Sequence, residues 1–190
     1  VECQDGTYYD ADFVVVGIGI LPNVELAEAA GLAVKNGIIV DEFACTSDAD
    51  IVAAGDCTNH PNKLLDCRMR LESVPNALEQ ARVAASFLCG VSQAYASIPW
   101  FWSDQYNIKL QIIGLKQGYD ETIVRGEYSS GRTFVVFYLK KRSLIAADCI
   151  NRPKEFLLMK QVMSKGLDIN ISRLADDTVA VKDLVISQSN

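Results

Sequence analysis

Apolar positions fall into distinct patterns along the chain. Phe13-Val14-Val15-Val16-Gly17-Ile18-Gly19-Ile20-Leu21 is β-branched and apolar on both faces, as a central parallel strand would be, and Leu21-Pro22-Asn23 ends it. Ile51-Val52-Ala53-Ala54 reads as a second buried strand that runs directly into Gly55-Asp56. Between them, Val24 to Ala30 predicts a short helix stopped by Gly31. Lys35-Asn36-Gly37-Ile38 predicts a hairpin turn, because an Asn-Gly pair accepts the positive φ angles of a tight reversal. The strongest helical pattern covers Asn76 to Cys89. Ala77, Leu78, Ala81, Ala84, Ala85 and Leu88 share one face, Glu79, Arg82 and Ser86 point elsewhere, Pro75 suits the start and Gly90 the end.

The texture changes after the small, polar stretch Val91 to Ser97, where the pattern predicts a boundary. Ile108-Lys109-Leu110-Gln111-Ile112 alternates as a strand with one wet face, and Glu121 to Arg125 and Phe134 to Leu139 follow as strands. Gly118-Tyr119-Asp120, Ser129-Ser130-Gly131 and Lys140-Lys141-Arg142 are the turns between segments. Such short spacing predicts an antiparallel meander, and a helix over about Lys154 to Lys165, followed by Gly166, would cover one face of it. The expected fold class is therefore α/β in the first half and α+β, with an antiparallel sheet, in the second.

Composition adds that this is an ordinary globular chain of one or two domains: 190 residues, 49% hydrophobic and 22% charged. The apolar run at Phe13–Leu21 is too short and too glycine-bearing for a membrane span. The net charge of −6 is unevenly spread. Residues 1–97 carry five basic against fourteen acidic side chains, and residues 98–190 carry thirteen against ten. The acidic half argues against nucleic acid as a partner, whereas the basic half suits an acidic protein. Cysteines at 3, 45, 57, 67, 89 and 149 form no CxxC pair, which points to a reducing cytoplasm. The opening Val1-Glu2-Cys3-Gln4-Asp5 is neither a secretory signal nor an initiator sequence, and it reads as the interior of a longer chain.

Few residues carry chemistry unaided. Gly17-Ile18-Gly19 lacks the third glycine and the following helix of a dinucleotide fingerprint, so it reads as a strand end that another group approaches closely. Asp56 is more telling: a carboxylate at the C-terminal end of a buried strand lies where ligands bind in open α/β sheets and can accept from sugar or ribityl hydroxyls, although turn capping is the ordinary alternative. Glu72-Ser73-Val74-Pro75-Asn76 leads into the best helix, whose unsatisfied N–H groups favour an anionic ligand; Ser73 and Asn76 also serve as ordinary caps. Pro99-Trp100-Phe101-Trp102 can wall a flat cofactor or simply pack between units. His60, the single histidine, reads as a loop residue without metal-ligand spacing, Cys57 and Cys67 make a poor redox pair, and no nucleophile–base set can be assembled.

Four segments in order resemble a known family: Val14 to Asn23, Ala53-Ala54-Gly55-Asp56-Cys57, Arg70 to Ala81, and Pro99-Trp100-Phe101-Trp102-Ser103-Asp104-Gln105-Tyr106. The chain resembles the C-terminal part of FAD-dependent, NADH-using ferredoxin and rubredoxin reductases, over essentially its whole length through Asn151-Arg152-Pro153-Lys154-Glu155-Phe156. The resemblance implies that residues 1–21 are the tail of a NAD-binding domain, 22–97 the returning segment of an FAD-binding domain, and 98–190 a C-terminal α+β domain. It implies that Gly55 and Asp56 meet the ribityl–pyrophosphate part of FAD, and that Ser73 and Val74 stand at the helix start, Val74 offering its N–H to the flavin C2 carbonyl. Trp102 would lie beside the isoalloxazine, and Gly17, Ile18, Gly19 and Glu72 would face the nicotinamide end of NAD. Both glycine-rich phosphate loops of the family would lie upstream of Val1. The acidic iron–sulfur partners of that family imply docking on cations, with Arg82 and Lys109 as candidates, and no direct catalytic residue or metal ligand is assigned. Two other readings stay open: a non-catalytic docking or weakly dimerising module, and a related flavoprotein oxidase, peroxidase or quinone reductase.

Overall fold

The computed structural model describes residues 1–63, 65–129 and 131–186. In the first half the helix α1 (Glu25–Ala29) ends at Gly31 in the left-handed region, as the pattern predicts. Asn36 and Gly37 take φ of 49° and 113°, and Val34 bridges Ile38 across them. That reversal does not continue as a hairpin: β1 (Ile38–Ile39) instead pairs in parallel with β2 (Thr58–Asn62), which pairs antiparallel with β3 (Cys67–Met69). β2 lies where the sequence offers only polar and turn-forming residues, β3 is the short Cys67-Arg68-Met69, and His60 on β2 is buried rather than in a loop.

Two predicted strands are corrected. Phe13–Leu21 forms no strand, and Val15 and Ile18 are 83% and 91% exposed. A run apolar on both faces needs a layer on each side, and no described segment supplies either. Ile51–Ala54 makes a single antiparallel bridge, Cys45 to Val52, because Thr46 Oγ1 sits 3.0 Å from both Asp48 O and Ile51 O and folds residues 44–53 into a tight local reversal.

The helix α2 (Val74–Leu88) forms, capped by Ser73, whose hydroxyl accepts from Asn76 N at 3.3 Å. Its buried face is not the predicted one. Asn76, Gln80, Val83 and Ala84 face inward, while Leu78, Ala81, Ala85 and Leu88 are exposed. A polar network described below holds the inward face, and it outweighs the apolar stripe within this chain.

The second half is a five-stranded antiparallel sheet under one helix. β4 (Trp100–Gln105), β5 (Ile108–Gly114), β6 (Glu121–Glu127), β7 (Thr133–Lys140) and β8 (Ser143–Ile150) lie in the order β4-β5-β8-β7-β6. The sheet is thus not a simple meander, since β8 inserts between β5 and β7. The β7–β8 reversal rests on Lys141 and Arg142, both at positive φ without a glycine. Of the predicted turn Ser129-Ser130-Gly131, Ser130 lies outside the described residues. The helix α3 (Pro153–Lys165), closed by Gly166 in the left-handed region, packs across β5 and β8. Alternate residues of β7, Val135, Phe137 and Leu139, are fully buried beneath it with Ile113, Ala147, Cys149, Phe156 and Met159.

A charge cluster fastens the C-terminal segment to this core. Arg125, 2% exposed, donates through its two terminal nitrogens to Asp176 O and Val179 O, each at 2.6 Å. Its Nε lies 3.5 Å from buried Glu155 and 3.3 Å from Asp177, and Arg152 reaches the same two carboxylates at 3.1 and 2.8 Å. Arg152 holds the Asp177 carboxyl below its usual range. Leu174 and Leu184, on either side of the clamp, join the core with no exposed surface.

Candidate functional site

The turn Gly55-Asp56 is locked onto α2 by one amide. Gln80 Oε1 accepts from Gly55 N at 2.7 Å, lies 2.8 Å from Thr58 Oγ1, and is 3.5 Å from Asn76 Nδ2. Gly55 has φ of +92°, a conformation that a side chain would strain. All of these groups are buried, where an unpaired polar atom would be costly, so the network fixes the turn against the helix start. The Asp56 carboxylate projects from this rigid turn into solvent.

Arg70 joins the next two predicted residues. Its Nη1 donates to Asp56 O at 3.3 Å and to Glu72 Oε1 at 2.7 Å, and its Nε to Asn36 Oδ1 at 3.2 Å. Asp56, Glu72 and the start of α2 are thereby brought to one edge of the first half. Val74, the first residue of α2, is exposed there, with its amide at the positive end of a 15-residue helix. Ser73 acts as the cap.

Behind the helix start, Tyr95 donates to Asn76 Oδ1 at 3.0 Å, and its ring meets His60 edge-on at 4.8 Å. Burial, reinforced by the charge of Glu79, pushes the Tyr95 hydroxyl up to about 12. His60 Nδ1 lies 3.2 Å from Pro61 O, a carbonyl that only a protonated Nδ1 can serve, and Nε2 is buried with no hydrogen-bond partner among the described residues. Burial lowers the pKa of His60. A cleft of about 240 Å³ opens between this layer and the second half, lined by Ser73, Asn76, Glu79, Pro99, Trp100 and Lys160 among others.

The remaining predicted residues lie apart. Trp102 on β4 is 44% exposed, and its ring is 5.6 Å from that of Trp100. Gly17 and Gly19 face open space on the exposed N-terminal segment, and no contact among the described residues brings Gly17, Ile18 and Gly19 to Glu72. Arg82 and Lys109 are each paired with a neighbouring acid: Arg82 with Glu79 at 2.5 Å and Lys109 with Asp104 at 3.9 Å. Gln80, Arg70, Tyr95 and His60 were not singled out by the sequence for this site. The i, i+4 spacing of Asn76 and Gln80 was the one available signal, two amides on a single helix face that the fold buries.

The donor and acceptor set suits a flavin dinucleotide. An exposed carboxylate on a fixed turn can accept from hydroxyls, a helix amide can donate to a ring carbonyl, and an exposed tryptophan with an apolar stripe can cover a flat ring. Residues 1–81 match the Pyridine nucleotide-disulphide oxidoreductase family and residues 100–185 the Reductase C-terminal family. The chain is 48% identical over 185 residues to Putidaredoxin reductase CamA of Pseudomonas putida, covering 97% of this chain and 44% of that protein. This chain is similar to ferredoxin reductases over nearly its whole length. Among solved structures, it superposes on the ferredoxin reductase for the CYP199A2 system from Rhodopseudomonas palustris with a TM-score of 0.90 at 40% identity, covering 95% of this chain and 44% of that one. It superposes on the reductase of the covalent putidaredoxin reductase–putidaredoxin complex with a TM-score of 0.89 at 48% identity, covering 96% and 43%. The chain spans less than half the length of these ferredoxin reductases. No helix among the described residues is long and apolar enough to cross a membrane.

Proposed function

We propose that this chain is the C-terminal part of an FAD-dependent reductase that oxidises NADH and passes electrons singly to a ferredoxin or rubredoxin in the cytoplasm. In this reading residues 1–21 close a NAD-binding domain, 22–97 complete an FAD-binding domain and 98–190 form the C-terminal domain. The observation that carries it is the Gln80 lock, which holds the Asp56 carboxylate and the open start of α2 at one rigid edge. When bound, FAD takes up two electrons from NADH and releases them one at a time to an iron–sulfur acceptor.

The roles of the chain's own groups follow from chemistry. Asp56 accepts hydrogen bonds from the ribityl–pyrophosphate portion. The Val74 amide and the helix dipole stabilise negative charge at the flavin C2 carbonyl. Trp102 and the exposed side of α2 exclude water from the ring, and Glu72, fixed by Arg70, faces the nicotinamide end with Gly17, Ile18 and Gly19. Arg82, on the outer side of α2, and Lys109 guide the acidic acceptor; their pairing with Glu79 and Asp104 moderates that attraction.

The test is steady-state kinetics of the full-length reductase carrying Arg82→Glu. Ferredoxin-mediated cytochrome reduction should fall steeply at low salt, while direct ferricyanide reduction by NADH stays near normal. Equal loss with both acceptors would mean a damaged flavin site, and turnover with oxygen, peroxide or a quinone exceeding that with any ferredoxin would replace the proposal with an oxidase or quinone reductase.

A further inference from the structure

The chain has two tryptophans, and they stand side by side on β4 where the halves meet. Trp100 faces α3: its ring is 5.5 Å from that of Phe156, and it borders the cleft at the start of α2. Trp102, one alternation along the strand on the same side, lies 5.6 Å from Trp100 with the ring planes 31° apart, and is far more open. Over Trp100, lining the same cleft, sits Lys160 of α3, with Nζ 4.4 Å from the ring centroid.

Lys160 is half-buried, and among the described residues it has no ion pair. A half-buried ammonium without a carboxylate needs another source of compensation, and the indole face supplies it. The contact fixes more than one ring. Trp100 meets both Phe156 and the ammonium, one turn apart on α3, and Trp102 leans against Trp100, so the orientation of the outer indole follows that of the inner one.

We propose that Lys160 is a positioning residue: by holding Trp100 through its ring face it sets the orientation of Trp102, the indole that walls the flavin. This rests on the reading that Trp102 lies against the cofactor. Lys160 itself acts through the ring face of Trp100.

Because the indole emission of these 190 residues comes from this pair, the arrangement can be read without cofactor. Lys160→Met keeps the length of the side chain and its helix propensity but removes the charge, and Lys160→Arg keeps the cation. The Met variant should change the tryptophan emission intensity and weaken the near-ultraviolet circular dichroism of the coupled indoles, and the Arg variant should restore both. In the FAD-loaded full-length reductase, Lys160→Met should raise the FAD dissociation constant about two- to fivefold, the loss expected for one partly exposed cation–π contact, again with rescue by Arg. Unchanged tryptophan spectra in Lys160→Met would overturn the proposal, as would altered spectra with unaltered FAD binding. Trp102→Leu separates this failure from that of the underlying reading. If Trp102→Leu leaves FAD binding untouched, Trp102 is not a flavin wall and the role given to Lys160 falls with it; if Trp102→Leu weakens FAD and Lys160→Met does nothing, only Lys160 is misassigned.

Discussion

The two halves of the molecule are held together in different ways. The second half buries a continuous core of thirteen residues, from Ile98 to Leu184, under a sheet in which every strand has a ladder partner. The first half buries a cluster of Ala44, Val83, Ala84 and Tyr95, and relies on the amide and hydroxyl network around Gln80 for the rest. It also leaves Phe13–Leu21 and the Leu78–Leu88 stripe in water. The difference shows which half buries its apolar positions by packing within these 190 residues. Apolar positions of the second half find their layer inside the chain, whereas many of those in the first half stay exposed.

The sharpest way to break this comparison is to delete matched apolar groups. Phe137→Ala removes a ring with no exposed surface and should cost about 3–5 kcal/mol in denaturant unfolding, while Val15→Ala should stay within about 0.5 kcal/mol. A large effect at Val15 would mean that the N-terminal segment is packed after all. Arg125→Leu should follow, at about 2–4 kcal/mol, because it leaves the Asp176 and Val179 carbonyls without their donor and Glu155 with Arg152 as its remaining partner; the readout is the loss of this chain's tryptophan signal, which belongs to the second half.

A smaller effect is expected in the first half. Gln80→Leu leaves the Gly55 amide and Thr58 hydroxyl short of an acceptor, at about 1–3 kcal/mol. It should lower the first transition seen by far-ultraviolet circular dichroism without moving the one seen by tryptophan. Coincident shifts in both probes would mean that the halves unfold as one unit.

The gentlest test is pH. Burial depresses the pKa of His60 in the folded protein, so the unfolded chain binds the proton first. Stability of the first half should therefore be level above the ordinary histidine value of about 6.5 and decline below it, by at most about 1.4 kcal/mol per pH unit for a single proton. The second half should be flat over the same window, since the carboxylate it depends on, Asp177, has a lowered pKa and titrates in more acidic solution. His60→Phe should remove the slope; persistence of the slope in that variant would point to another group.

How much could be read from residues alone follows the same division. The elements α1, α3, β5, β6 and β7 were legible because their periodicity agrees with burial in this chain, and α2 was legible as a helix from its caps and its period. β2 and β3 were hidden because Thr58-Asn59-His60-Pro61-Asn62 is polar and buried by hydrogen bonding rather than apolarity. The place of β8 between β5 and β7 is set by non-local pairing, which strand spacing does not encode. The buried side of α2 was misread for a related reason: Asn76 and Gln80 face inward because Gly55 and Tyr95 meet them, and those partners lie 25 and 19 residues away. At the site, Asp56, Glu72 and the helix start were readable from motif order, but the Gln80 and Arg70 contacts that assemble them were not.

The proposed role of that assembly is tested most directly by FAD binding to the full-length reductase with Asp56→Ala. The carboxylate is exposed on a turn that Gln80 and Thr58 hold without its help, so the fold should stand. A carboxylate–hydroxyl bond is worth roughly 1.5–3 kcal/mol, and titration of FAD into the apoprotein should therefore show about ten- to hundredfold weaker binding with an unchanged circular dichroism spectrum. FAD affinity equal to that of the unsubstituted protein would reduce Asp56 to a turn residue and contradict the placement of the flavin at this edge.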